Sequence, residues 1–186
     1  MTKEEKKVRY YTGVGARKTP LEILELITSI ARVLSRNGFV MRSGGAEGAD
    51  VAFADGAGKS KQIFLPWKGF RQHNGDNVLV FDDIKEEAFT IASRHHPAWN
   101  NLTYPAKSLM ARNTHQILGP NLNDPSEFLV CWTPDGCFSS KTRTSVTGGT
   151  GQAISVACEF GVPVFNLRNQ KHYEFMKKIV SGQIKI

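Results

Sequence analysis

Apolar positions in this chain fall into short continuous runs, separated by stretches in which they recur every three or four residues. Val8 to Thr12 is a β-prone run ending in Gly13-Val14-Gly15 and reads as a strand feeding a tight turn. Thr19-Pro20-Leu21-Glu22 then combines an N-cap hydroxyl, a proline at the first helical position and a Glu placed for a capping box. Ile23, Ile27, Ile30 and Leu34 follow at helical spacing, Leu24 and Ala31 widen that face, and Asn37-Gly38 supplies the stop. Phe39-Val40-Met41, Gln62 to Leu65, Val78 to Phe81, Phe128 to Trp132 and Val162 to Leu167 are apolar runs of buried-strand length. Ala49–Ala57, Lys85–His95, Ala106–Leu118 and Gln152–Phe160 read as helices. Strands alternating with helices imply right-handed crossovers, hence a single Rossmann-like α/β domain over residues 1–186 with a mainly parallel sheet flanked by helices.

Residues 133–150 break the pattern. The stretch has no apolar period, is rich in Ser, Thr and Gly, and is long for a connection, so it reads as a functional or mobile loop, or else a plain surface excursion. Lys141 and Arg143 would give such a loop a positive tip.

Composition narrows the class. A chain of 186 residues with 40% hydrophobic and 22% charged residues suits one folded domain. No apolar run approaches the roughly 18 residues of a membrane span, and the N-terminus lacks a signal-peptide core, so no membrane partner and a cytoplasmic location are expected. Cys131, Cys137 and Cys158 are odd in number with no CxxC, which points away from disulfides and zinc. The net charge of +7 suits phosphate-bearing partners, although solubility explains it equally well.

Three glycine-rich turns carry the chemistry. Gly13-Val14-Gly15, Ser43-Gly44-Gly45-Ala46-Glu47-Gly48 and Thr147-Gly148-Gly149-Thr150-Gly151 each come after a strand and before a helix. In a parallel sheet such turns emerge at the carboxyl edge, where ligands bind. Glycine lets backbone N–H groups approach an anion, and the next helix N-terminus favours negative charge, so phosphate is the expected guest. Arg17 and Lys18 could clamp phosphate oxygens or be a solvated pair. Asp50 could accept a ribose hydroxyl, orient an Arg or only complement a helix dipole. Arg112 and Asn113 could meet phosphate from a helix or be surface.

Other groups are weaker candidates. Adjacent His95 and His96 are badly spaced for one metal, His73, His115 and His172 are scattered, and Asp82-Asp83 reads as a solvated acidic pair, so neither metal nor cofactor is expected. Trp67, Phe70 and Trp99, interleaved with Lys68 and Arg71, have the mix that stacks bases and holds phosphates, or are core. No nucleophile arrangement stands out; Ser43 is outside the nucleophile-elbow pattern.

The motifs Gly13 to Lys18, Ser43 to Asp50, Ala111-Arg112-Asn113 and Thr147 to Ala153 occur in an order that resembles the SLOG superfamily, most closely the Rossmann-like domain of the DNA-processing protein A (DprA, or Smf) family and its short phage-encoded relatives. The resemblance spans Val8 to Leu167 and implies a positive pocket for single-stranded DNA or a nucleotide, a homodimer and a recombinase partner. The cytokinin-activating LOG branch hydrolyses N-glycosidic bonds with a Glu in Pro-Gly-Gly-x-Gly-Thr-x-x-Glu. Aligned on those glycines this chain has Thr147 for the Pro, Gln152 for the Thr and Ser155 for the Glu. Binding is therefore the leading expectation and no catalytic residue is assigned. A nucleotide N-glycosidase, drawing on Glu47, Asp50 or Glu159, or a receptor for a nucleotide-derived signal, is the alternative.

Overall fold

The computed structural model describes residues 7–72 and 84–186. The expected strand Val78–Phe81, with His73, Asp82 and Asp83, lies outside the described residues. Among them five strands form one parallel sheet: β1 (Arg9–Gly15), β2 (Phe39–Ser43), β3 (Lys61–Ile63), β4 (Leu129–Trp132) and β5 (Val164–Asn166), in the order β3-β2-β1-β4-β5. Six helices flank it: α1 (Leu21–Arg36), α2 (Ala49–Ala57), α3 (Glu86–Ser93), α4 (Tyr104–Leu118), α5 (Thr150–Glu159) and α6 (Gln170–Val180). The Rossmann-like α/β architecture is as expected.

Side chains alternate across the strands, as the pleat requires. Tyr11 of β1 and Val130 and Trp132 of β4 face the layer of α1, α2 and α6, where Ile27, Ile30, Leu34, Phe53 and Met176 are buried. Val14, Leu129 and Cys131 face the opposite layer of α3, α4 and α5, with Ile91, Ile117, Ile154 and Val156. All four residues of β4 are buried, the signature of a central parallel strand covered on both faces. Helix α6 has no counterpart in the sequence reading. Asn169 caps it by accepting from the Lys171 and His172 N–H groups, and Met176 and Ile179 anchor it.

Two local expectations are corrected. Helix α1 begins at Leu21, and no side chain caps it. The Thr19 hydroxyl instead donates to the Ala16 carbonyl at 2.7 Å, closing the loop after β1 on itself. And Gly13-Val14-Gly15 is not a turn: β1 runs through Gly15, pairing Gly13 with Val130 and Gly15 with Trp132. Among the described residues no helix is long and apolar enough to cross a membrane.

Candidate functional site

The chain crosses from β3, on one side of β1, to β4 on the other, so the carboxyl ends of β1 and β4 border a topological switch point. The loop after β1 leaves from that edge. Ala16 N–H still bonds the Trp132 carbonyl at 3.1 Å; beyond it Arg17 and Lys18 are exposed and make no ion pair among the described residues.

The second loop packs against the first. Gly48 has φ +78°, and a Cβ there would come within 2.5 Å of the Arg17 carbonyl oxygen, so only glycine brings the two loops this close. Gly44 makes room for a different neighbour. An alanine Cβ at that position would fall 2.5 Å from the Arg112 guanidinium carbon. Arg112 Nη1 donates to the Gly44 carbonyl and, at 3.2 Å, to that of Phe64, while Nε donates to the Asn113 amide oxygen at 3.2 Å. The guanidinium is thus buried and bonded to the ends of β2 and β3. It is a brace for the loop as much as a group on the cavity wall.

Asp50, in the first turn of α2, is buried too, and its carboxylate accepts from the Ala46 N–H at 3.2 Å. Burial pushes the Asp50 carboxyl up, opposed by the Arg112 charge and by the backbone N–H groups of Ala46, Gly15 and Gly44. Burial likewise pushes Arg112 down and the Asp50 charge pulls it back. Arg keeps its proton at any physiological pH, so the Arg112 charge acts on Asp50 beneath the loops, without a direct ion pair among the described residues.

The third turn arrives from the loop 133–150, which is folded on polar bonds. Asp135 accepts from the hydroxyls of Thr144, at 2.7 Å, and Thr147. Asn166 Nδ2 donates to Thr133 Oγ1 at 2.7 Å and to the Cys137 carbonyl at 2.6 Å. Arg143 is not at a positive tip: it is half-buried and donates to the His95 carbonyl at 2.7 Å. Gly148 turns the chain with φ +66°, α5 starts at Thr150, and Asn113 Nδ2 reaches the Gly149 carbonyl at 3.3 Å.

These parts enclose one cavity of about 420 Å³. Gly15, Arg17, Lys18, Asp50, Arg112, Asn113, Thr147, Gly148, Gly149 and Thr150 all line it. Ser43, Gly44, Gly45, Gly48 and Gly151 do not line it, and Gly13 belongs elsewhere, under the Phe53 ring. Leu109, Met110, Gln116 and Val146 also line the cavity and were not singled out from the sequence. Gln116 is 1% exposed, and among the described residues neither of its amide atoms has a hydrogen-bond partner, nor has the buried Ser43 hydroxyl. The position of Gln116 one turn after Arg112 was the available signal.

The aromatic group divides. Trp67 and Phe70 contact each other edge to face at 5.1 Å, and Arg71 pairs with Glu47 of the second loop. Trp99 sits apart, 6.5 Å from Phe89, with Lys107 Nζ 5.6 Å from its ring.

No family model and no curated protein matches the chain. Its fold is similar to that of DNA processing protein A from Helicobacter pylori, a structure described for its single-stranded DNA binding mode. The two superpose with a TM-score of 0.58 at 18% sequence identity, over 96% of this chain and 74% of that one.

Proposed function

We propose that this chain binds phosphate groups of single-stranded DNA, or of a nucleotide, in the cavity at the carboxyl edge of β1 and β4. The observation that carries the reading is the convergence of Arg17 and Lys18, cations without an ion pair among the described residues, with the Thr147–Thr150 turn and the start of α5 on one cavity, where the only carboxylate among the described lining residues, Asp50, is buried. The fold shared with a DNA-processing protein whose structure is described for single-stranded DNA binding favours the polymer over the free nucleotide. A homodimer, a recombinase partner and a cytoplasmic role in recombination extend the same proposal.

An N-glycosidase needs a carboxylate within reach of the sugar. Ser155 faces Arg143, Glu159 is paired with Arg94 and His95, and Glu47 is paired with Arg71. Asp50 is bonded from behind by backbone amides. Binding without turnover therefore fits these residues better.

The test is anisotropy of a labelled oligothymidylate over a salt series. Each phosphate neutralised on a single strand contributes about 0.7 to the log–log slope, so Arg17→Ala and Lys18→Ala are each expected to reduce it by about that amount. Salt-insensitive binding, or none, defeats the reading. A thermal shift with nucleoside monophosphates but no oligonucleotide binding selects the small ligand.

A further inference from the structure

A second cavity, of about 660 Å³, opens beyond the Thr144–Gly148 segment, and Gly148 borders both. Its wall carries Arg94, His96, Ser140, Arg143, Ser145 and Ser155, and among the described residues no carboxylate lines it. Arg143 is the informative one. It is half-buried, its Nη1 donates to the His95 carbonyl at 2.7 Å and to the Ser155 hydroxyl at 3.3 Å, and among the described residues it forms no ion pair. A partly desolvated guanidinium held by neutral acceptors keeps an uncompensated charge, a state that an anion relieves. The nearby acids are engaged elsewhere: Glu159 with Arg94 and His95, each at 2.5 Å, and Asp135 with the hydroxyls of Thr144 and Thr147. The positive field reaches His96, which burial and the Arg143 charge both push down. Gly148, which borders both cavities, has open space where a Cβ would stand.

We propose that this second cavity is a further phosphate subsite, so that a single strand of nucleic acid crosses Gly148 with one phosphate facing Arg17 and Lys18 and another facing Arg143. The proposal rests on the phosphate-binding reading of the first cavity and makes the ligand a polymer.

Ser145 and Ser140 are exposed, so a glutamate at either place adds negative charge to the second cavity while leaving Arg143 in position. The experiment measures affinity for a labelled oligothymidylate long enough to span both cavities, for the intact chain, Ser145→Glu, Ser145→Gln and Arg17→Ala, with thermal melting of each to verify folding. Ser140→Glu replaces Ser145→Glu if that variant does not fold. The expected result is a loss of about tenfold at low salt for the glutamate variant, with Ser145→Gln within about twofold of the parent. A glutamate variant that binds like the parent while Arg17→Ala binds more weakly overturns the second subsite and leaves the first standing. Equal losses for Glu and Gln also overturn it, because the effect is then one of size. No binding by the parent, or none of the affinity depending on Arg17, defeats the first-cavity reading itself.

Discussion

Arg112→Met separates two roles that the same residue could play. If the guanidinium braces the second loop, its loss is felt with no ligand present; if it is mainly a hand for phosphate, the loss is felt on binding alone. The side chain is 7% exposed, and its Nη1 serves the carbonyls of Gly44 and Phe64. Hydrogen bonds to a charged group contribute about 1.5–3 kcal/mol each, and methionine keeps the stem but makes neither. Asp50, buried nearby, also loses the favourable field of the Arg112 charge. The two lost bonds together put the expected loss at about 3–5 kcal/mol. For a chain of this size that corresponds to a fall in Tm of about 6–20 °C, at roughly 2–4 °C per kcal/mol. Urea unfolding of the ligand-free protein measures it directly. Asp50→Asn added to Arg112→Met should restore part of the loss, since a neutral amide is cheaper to leave unpaired, and the non-additivity reports the coupling. Arg112→Met within about 1 kcal/mol of the parent, together with lost oligonucleotide binding, would refute the bracing role.

Other outcomes follow from the same geometry. Gly13→Ala would place a Cβ 2.5–2.9 Å from Phe53 ring atoms, so a loss of about 1–3 kcal/mol in urea unfolding is expected with unchanged oligonucleotide affinity of the folded fraction. Weaker binding at unchanged stability would return Gly13 to the site. Burial alone would push the Asp135 carboxyl up, but the hydroxyls of Thr147, Thr144 and Thr133 pull it down to about 2. The folded state therefore binds this proton more weakly than the unfolded one, whose carboxyl titrates near about 4. Its stabilisation is complete above that value and is lost as pH falls toward about 2, so Asp135→Asn should flatten the acid limb of a Tm-against-pH curve over that window. An unchanged limb would mean that the hydroxyl bonds contribute nothing in solution.

The alternation of strands and helices was legible because each apolar run of the sheet is short and α1 shows a clean face; Ile23, Ile27, Ile30 and Leu34 are all buried as their spacing predicts. The placement of the third glycine turn and of the exposed pair Arg17-Lys18 on one cavity was legible for a related reason, since it depends on backbone turns at the ends of strands. Roles that depend on a distant partner were not. Gly13 looks like a turn residue until α2 is in place, because Phe53, forty positions away, is what fills the space a side chain would occupy. Helix α4 misleads in the same way. From Ala111 to Leu118 it is buried all round, between the sheet, α3 and α5, so Arg112, Asn113, Thr114, His115 and Gln116 have the composition of a surface and the environment of a core. In that setting a polar residue is read by what it bonds: Arg112 finds two carbonyls and a neighbouring amide, whereas the Gln116 amide, at the wall of a cavity, finds no partner among the described residues. A buried amide without a partner costs about 1–3 kcal/mol, so the fold carries that cost at a place where a water or a ligand can offset it. Of the positions at which local rules mislead, Arg112, Asn113 and Gln116 line the same cavity, whereas Gly13 misleads through packing alone.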